Sequence, residues 1–70
     1  MSASVMWRVV RWRFTEDRRW TVAAVSNHPN GNWVEALSVA RAWVEQGVDD
    51  IEQGRLRVKI DPVIVPRSQI

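Results

Sequence analysis

Residues 55–60 read Arg-Leu-Arg-Val-Lys-Ile, with a cation at every odd position and an apolar residue at every even position. This period of two is typical of a β-strand with one wet face and one face against a core. The predicted solvent face carries Arg55, Arg57 and Lys59. The predicted core face carries Leu56, Val58 and Ile60. The fold must therefore supply an apolar layer that covers one side of this strand.

A helix between residues 33 and 46 can supply that layer. Apolar residues recur there at spacings of three and four, which places them on one side of a helix. They are Trp33, Ala36, Leu37, Ala40, Trp43 and Val44. Asn32 followed by Glu35 resembles a capping box, and Gly47 stands where a C-terminal cap belongs. The residues after it, Asp49–Gln53, suit a short helical turn.

Two further strands precede the helix. Val5–Phe14 and Trp20–Ser26 are rich in Val and Trp and contain neither Gly nor Pro, and the polar link Thr15–Arg19 joins them. This arrangement predicts a β-hairpin. The cluster of turn-forming residues at Ser26–Gly31 predicts the end of the second strand.

The predicted order of elements is strand, strand, helix, strand. A helix that returns antiparallel to the second strand leaves the third strand parallel to it, so the third strand docks antiparallel beside the first. We therefore predict an α+β fold, with a small antiparallel sheet of order 2-1-3 and one helix on one face. The sequence leaves open whether Asp61–Pro66 forms a short fourth strand. Its two prolines lack N–H donors and confine it to an edge or a tail.

The first strand does not alternate cleanly. Strict alternation puts apolar and charged residues on both of its faces. One extra residue at Val9-Val10, a β-bulge, separates them, so we predict a bulge there. One face then carries Arg8, Arg11 and Arg13, and the opposite face carries Trp7, Val9, Trp12 and Phe14. Without the bulge, the face turned away from the helix keeps Arg11 and Arg13 and adds exposed Trp7 and Val9.

The bulged register gathers seven cations on the sheet face turned away from the helix. They are Arg8, Arg11, Arg13, Arg19, Arg55, Arg57 and Lys59. One interpretation is a solvated exterior, because antiparallel sheets commonly leave one side wet. The other is a platform on which guanidinium groups hold phosphates and a nearby Trp stacks on a base. Nucleic acid is therefore an alternative partner.

Length and composition exclude several classes of protein. Seventy residues predict one domain over 1–70, with flexible ends at 1–4 and 67–70. The absence of cysteine excludes disulfides and Cys-based metal sites, and it fits a reducing, cytoplasmic setting. We find neither a signal peptide nor a membrane span. The formal net charge of +2 is ordinary for a soluble domain of this size.

No constellation for catalysis can be assembled from these residues, so we predict a protein that is not an enzyme and holds no cofactor. The only histidine, His28, is expected in a solvated loop or bonded to its own turn. The one carboxylate cluster, formed by Asp49, Asp50 and Glu52, lacks the spacing of a calcium loop. We therefore predict no catalytic, cofactor-binding or metal-binding residue.

The segment Val63, Ile64 and Val65 is apolar on both faces of an extended chain, which one small sheet with one helix would struggle to cover. We predict that it contacts a second copy in a homo-oligomer, most simply a twofold dimer. The predicted function is a small binding or regulatory module that self-associates and acts through protein–protein contacts. The alternative is a nucleic-acid-binding protein that uses the Arg-bearing sheet face.

Overall fold

A computed structural model describes residues 3–66 of the chain, and their side chains over 5–64. The strands are β1 (Ala3–Phe14), β2 (Trp20–Pro29) and β3 (Leu56–Pro66), and the helices are α1 (Trp33–Gln46) and α2 (Val48–Glu52). β1 lies in the centre of a three-stranded sheet of order β2-β1-β3 and is antiparallel to both neighbours. With α1 packed on one face, this is the α+β fold that the sequence predicted. Of the ends expected to be flexible, 1–2 and 67–70 lie outside the described residues, and Ala3 and Ser4 belong to β1.

Helix α1 begins and ends where its periodicity predicted, but its first turn is built differently from a capping box. The Asn32 side chain makes no hydrogen bond to the helix backbone. Its Nδ2 instead donates to Oε2 of Glu35 at 3.0 Å. The predicted capping box is therefore wrong, because the two side chains satisfy each other and not the free N–H groups of the first turn.

Gly47 ends α1, as predicted, and its N–H donates to the Val44 carbonyl at 3.2 Å. Its φ of −123° is open to any residue, so backbone conformation does not explain the glycine. The explanation is space, because a Cβ at this position would overlap Cδ2 of Leu56. Leu56 is buried at the start of β3, so the helix end and the strand meet without room for a side chain.

Two strands are longer than predicted. β2 continues through Asn27 and His28 to Pro29, because β1 offers pairing partners as far as Met6. β3 continues through Asp61–Pro66 opposite the first residues of β1, so this segment extends β3 and forms no fourth strand. Since β3 is an edge strand, its prolines lie where a missing N–H is tolerated, as expected.

The predicted bulge at Val9-Val10 is wrong. The register between β1 and β3 runs without interruption from Ala3 opposite Pro66 to Arg13 opposite Leu56. The irregularity lies in β2, where Arg11 pairs with Ala24 but Trp12 pairs with Val22. The extra residue is therefore Ala23, and β1 alternates strictly.

Helix α1 covers one face of the sheet over a small core. Val9 is fully buried against Ala36 and Ala40, and the side chains around them are Trp7, Val39, Trp43, Val58 and Ile60. The radius of gyration is 14.0 Å, against about 11 Å for a compact domain of this length. The molecule is accordingly flat, with extents of 44 × 26 × 12 Å. Helix α1 covers one sheet face, and the opposite face is here called the open face. Neighbouring side chains on the open face leave its central residue, Val10, only 8% exposed.

Candidate interaction surfaces

The seven cations predicted to share one face are divided by the structure. Even-numbered residues of β1 and the residues paired with them form the open face, which places Arg8, Arg57 and Lys59 there. Arg11 and Arg13 point to the helix side, because strict alternation puts them on the same face as Val9. The predicted grouping of Arg8 with Arg11 and Arg13 is therefore wrong, and their role in binding stays a prediction.

The two remaining cations lie outside the strands. Arg19 closes the β1–β2 link, where its carbonyl accepts the Thr15 N–H at 2.8 Å. Arg55 sits in the bend before β3, and its carbonyl accepts the Phe14 N–H at 2.8 Å. The structure does bring Arg55 and Arg13 together, since both line an open depression of about 550 Å³ at this end of the sheet.

Arg11 occupies a position that the sequence did not indicate. Its guanidinium carbon lies 5.6 Å from the ring centroid of Trp43 on α1, which is within the range of a cation–π contact. Its Nε is buried and has no hydrogen-bond partner within the described part of the chain. Arg11 is thus wedged between sheet and helix, where its aliphatic stem adds to the apolar layer.

Aromatic side chains cluster on the open face at the end of the sheet near the β1–β2 link. Trp20 and Phe14 meet edge to face with their ring centroids 5.2 Å apart. The Arg57 guanidinium carbon lies 4.2 Å from the centroid of the Trp20 ring. Together with Trp12 and Lys59, Trp20 and Arg57 line a depression of about 230 Å³. Flat rings and cations therefore lie side by side on this face.

Apolar side chains cover most of the remaining open face. Val22 and Val25 are each about half exposed, whereas Val10 is only 8% exposed. The apolar residues on this face are Met6, Val10, Trp12, Phe14, Trp20, Val22, Val25 and Val63. Arg8 at its other end donates from Nε to Oδ1 of Asn27 at 3.1 Å. The open face is therefore an apolar sheet surface carrying three cations and Asp61.

A second exposed surface, made of three apolar residues and one cation, lies on the side of α1 that points away from the sheet. Val34, Leu37, Arg41 and Val44 follow each other at spacings of three and four, and we call these four residues the outer stripe. Val34 is 77% exposed, and Leu37 and Val44 are each exposed by about two fifths. The stripe borders a shallow depression of about 360 Å³ that Glu45 also lines.

The segment predicted to contact a second copy is part of the chain's own sheet. Val63 and Ile64 pair with Met6 and Val5 of β1, and Val65 pairs with Ser4 through the backbone. Val63 is half-buried, but Ile64 is 71% exposed. The side chain of Val65 lies outside the described side chains. Intramolecular pairing therefore accounts for the backbone of this segment and leaves Ile64 uncovered.

His28 is not in a loop, which corrects its predicted location. It lies in β2, is 7% exposed, and its Nε2 is 2.7 Å from the Ser26 hydroxyl oxygen. Strand pairing with Trp7 places His28 on the helix side, where the Ser26 hydroxyl gives its buried ring a hydrogen-bond partner. Asp49, Asp50 and Glu52 belong to α2, and residues 3–66 contain no group of three or more potential ligands placed to hold a metal ion.

Within the described part of the chain, no helix has the length and apolar character needed to cross a membrane. Comparison with protein-family models, curated proteins and solved structures finds no match for this chain.

Proposed function

We propose that this chain is a non-enzymatic module that self-associates, and that the open face is the surface through which it does so. The observation that carries the proposal is the apolar sheet surface opposite α1, where Val22 and Val25 on β2 are about half exposed. Exposed apolar surface marks interaction sites in soluble proteins. The chain contains no cysteine, which fits a reducing compartment, so the proposal includes a cytoplasmic location.

The layering of the fold supports a role for the open face. Helix α1 packs over Val9 on the other face of the sheet. A second protein layer on the open face would complete a core that one chain leaves unfinished.

The sheet edges support association through a face, because both edges are interrupted. Pro62 and Pro66 remove N–H donors from β3, and Ala23 and Pro29 interrupt the regular ladder of β2. Prolines and bulges are the devices that keep edge strands from pairing with another chain. Extension of the sheet by a neighbouring strand is therefore disfavoured relative to packing on the open face.

The test is the mass in solution of the full chain and of Val25→Asp as concentration is raised. We expect the full chain to exceed its monomer mass of 8.1 kDa. Burying a carboxylate against apolar surface costs at least about 2 kcal/mol, so Val25→Asp should associate about 30-fold more weakly. Thr21→Asp is the matched control, since Thr21 is exposed on the same strand but faces the helix side.

Two results would contradict the proposal. If the full chain sediments at 8.1 kDa at every concentration, it does not self-associate. If Val25→Asp and Thr21→Asp weaken association equally, the open face is not the contact surface.

Binding of single-stranded nucleic acid is the second candidate function, and the depression between Trp12 and Trp20 favours it. Stacking of a base on an aromatic ring contributes about 1–3 kcal/mol, and neighbouring cations hold the backbone phosphates. Arg57 and Lys59 line the same depression and supply those charges. Binding of this kind weakens steeply as salt is raised, because neutralised phosphates release counterions.

Titration of a single-stranded oligonucleotide into the chain, followed by tryptophan fluorescence, tests this candidate. Lys59→Ala should weaken binding and reduce its salt dependence, whereas Arg41→Ala, on the opposite side of the molecule, should not. Because both candidate functions use the open face, a bound oligonucleotide should also lower the mass of the oligomer. Fluorescence that does not change at low salt would remove the nucleic-acid candidate and leave self-association.

A further inference from the structure

We propose that the Asn30-Gly31 pair is a site of spontaneous covalent modification, at which Asn30 loses ammonia and becomes an aspartyl or isoaspartyl residue. The pair lies in the link between β2 and α1, outside the strands that form the open face. The modification goes beyond the proposed function, because it requires no partner other than water.

The reaction is an intramolecular substitution at the side-chain amide. The backbone nitrogen of Gly31 attacks Cγ of Asn30, so a C–N bond forms there while the bond from Cγ to Nδ2 breaks. The departing amide group takes up the proton of the Gly31 N–H and leaves as ammonia, and a five-membered succinimide ring remains. Water then opens the ring at either carbonyl carbon, without any oxidant or reductant. One opening gives an aspartyl residue, and the other gives an isoaspartyl residue whose main chain runs through the side-chain carbon.

The surroundings of Gly31 leave its nitrogen accessible. No atom lies within 4 Å of the place that a Cβ would occupy on this glycine. Asn30–Asn32 form a single 3₁₀ turn, and the first N–H groups of such a turn have no hydrogen-bond partner within it. Both Asn30 and Gly31 are exposed. The pair is therefore open to water, and the turn does not hold the attacking nitrogen.

Hydrogen bonding distinguishes this pair from two similar ones, since every glycine of the chain follows an amide side chain. Gln46 precedes Gly47, and Gln53 precedes Gly54. The N–H groups of these two glycines donate to backbone carbonyls at 3.2 and 3.0 Å. A glutamine would also have to close a less favoured six-membered ring. Both glutamine pairs should therefore be inert.

The other two asparagines of the chain have side chains that are already engaged. Oδ1 of Asn27 accepts from Nε of Arg8 at 3.1 Å. Nδ2 of Asn32 donates to Oε2 of Glu35 at 3.0 Å. Each is followed by a residue with a bulky ring, which hinders the approach of the next backbone nitrogen. Asn30 is the asparagine that combines an exposed side chain with a following glycine.

Opening of the 3₁₀ turn controls the rate in the folded chain. The backbone of Asn30 has to rotate out of its helical conformation before Cγ and the glycine nitrogen can bond. The turn contains no buried residue and has no side-chain cap. Segments with few buried contacts open at little cost, so the folded chain should react within about tenfold of the rate of the urea-unfolded chain.

The products differ from the original chain in charge and in the link before α1. Each event replaces a neutral amide by a carboxylate, so the formal net charge falls by one from +2. An isoaspartyl residue also adds one carbon to the main chain just before Trp33. The Trp33 ring meets the Trp7 ring edge to face with centroids 4.5 Å apart. The lengthened link therefore lies beside a contact that holds α1 on the sheet.

Incubation of the folded chain at mildly alkaline pH, with measurement of released ammonia and peptide mapping, tests the proposal. The rate should rise with pH, because the attacking nitrogen must lose its proton. Cleavage by trypsin after Arg19 and Arg41 gives one fragment that carries all three asparagines. Fragmentation of this peptide in a mass spectrometer should locate the change at Asn30 and leave Asn27 and Asn32 as amides.

Two variants control the experiment. Gly31→Val places a branched side chain beside the nitrogen, in a space that is open to it. This variant should release no detectable ammonia in the time in which half of the original chain reacts. Asn27→Gln removes a different asparagine and should react like the original chain. Circular dichroism checks that both variants are folded.

Three results would overturn the proposal. Ammonia release from Gly31→Val at the original rate would show that the glycine nitrogen is not the attacking group. Conversion that maps to Asn27 or Asn32 would place the reaction elsewhere. A folded chain that stays intact while the urea-unfolded chain reacts would show that the turn protects the pair. None of these measurements depends on the mass of an oligomer, so their failure leaves the proposed function standing.

Discussion

Replacement of Gly47 by alanine tests whether the end of α1 and the start of β3 meet as closely as the structure shows. The added Cβ would overlap Cδ2 of Leu56, a side chain that is buried where β3 begins. The Gly47 backbone cannot move freely, because its N–H is bonded to the Val44 carbonyl and its carbonyl accepts the Ile51 N–H. The Leu56 side chain is enclosed by its neighbours, since it is only 4% exposed. The substitution should therefore strain the joint between helix and sheet.

The magnitude follows from two opposing effects. Overpacking of a tight core costs about 1–3 kcal/mol. Replacing glycine by alanine at an unstrained backbone position stabilises by about 0.4–1 kcal/mol through the unfolded chain. We expect a net loss of about 1–2 kcal/mol. A domain of this length loses about 4–8 °C in Tm for each kcal/mol, so the loss lowers Tm by about 4–16 °C.

Urea denaturation followed by tryptophan fluorescence, at one fixed protein concentration, measures this loss. Gly31→Ala is the control, because no atom lies within 4 Å of an added Cβ, and it should be neutral or slightly stabilising. Gly54→Ala should cost about 1–2 kcal/mol for another reason, its φ of +74°. In a Leu56→Val background, which removes the clashing methyl group, Gly47→Ala should lose its cost. A Gly47→Ala protein as stable as Gly31→Ala with Leu56 present would refute the reasoning.

Two further predictions concern the register of β3 and the buried histidine. Arg57→Glu should cost only about 0.5–1 kcal/mol, from the lost stacking on Trp20, whereas Val58→Asp should cost several kcal/mol because it places a charge in the core. Equal losses in urea denaturation would show that the faces of β3 are assigned wrongly. Ser26→Ala should cost about 1–3 kcal/mol by leaving Nε2 of His28 without its partner, and Ser26→Thr, which keeps a hydroxyl, should cost less. If Ser26→Ala matched the original chain in stability, that hydrogen bond would contribute nothing.

Elements with strong local patterns were predictable from the sequence. The spacing of Ala36, Ala40 and Trp43 placed α1, and Gly47 marked its end. The alternation around Val58 assigned the faces of β3 correctly, and connection rules gave the strand order. In each case the local pattern and the tertiary packing favour the same structure.

The faces of β1 were not predictable, because its apolar and charged residues occur at both odd and even positions. Arg11 lies on the helix side, where packing against Trp43 makes an arginine acceptable in a largely apolar layer. The irregular residue, Ala23, carries no turn or glycine signal that could have revealed it. The aromatic part of the open face was missed for the same reason, since the assumed bulge assigned Trp12 and Phe14 to the helix side.

The location of His28 was also missed, because Pro29 and the residues after it are strong turn signals. Its pairing with Trp7 depends on the full length of β1 and on burial beneath the helix layer, which local sequence does not report. Tertiary pairing therefore extended β2 beyond the point at which its sequence suggests an end.

The strand order has a consequence for how the sheet assembles as the chain is made. β1, the central strand, is the first to be synthesised, and β2 can pair with it at once through the short link after Phe14. The partner for its other edge, Leu56–Pro66, is the last of the three strands to emerge, so that edge of β1 stays unpaired until the helices have been made. Closing so long a loop is the slow, high-contact-order step of folding. We therefore expect the nascent hairpin, with one edge of β1 unpaired, to be the species most exposed to aggregation.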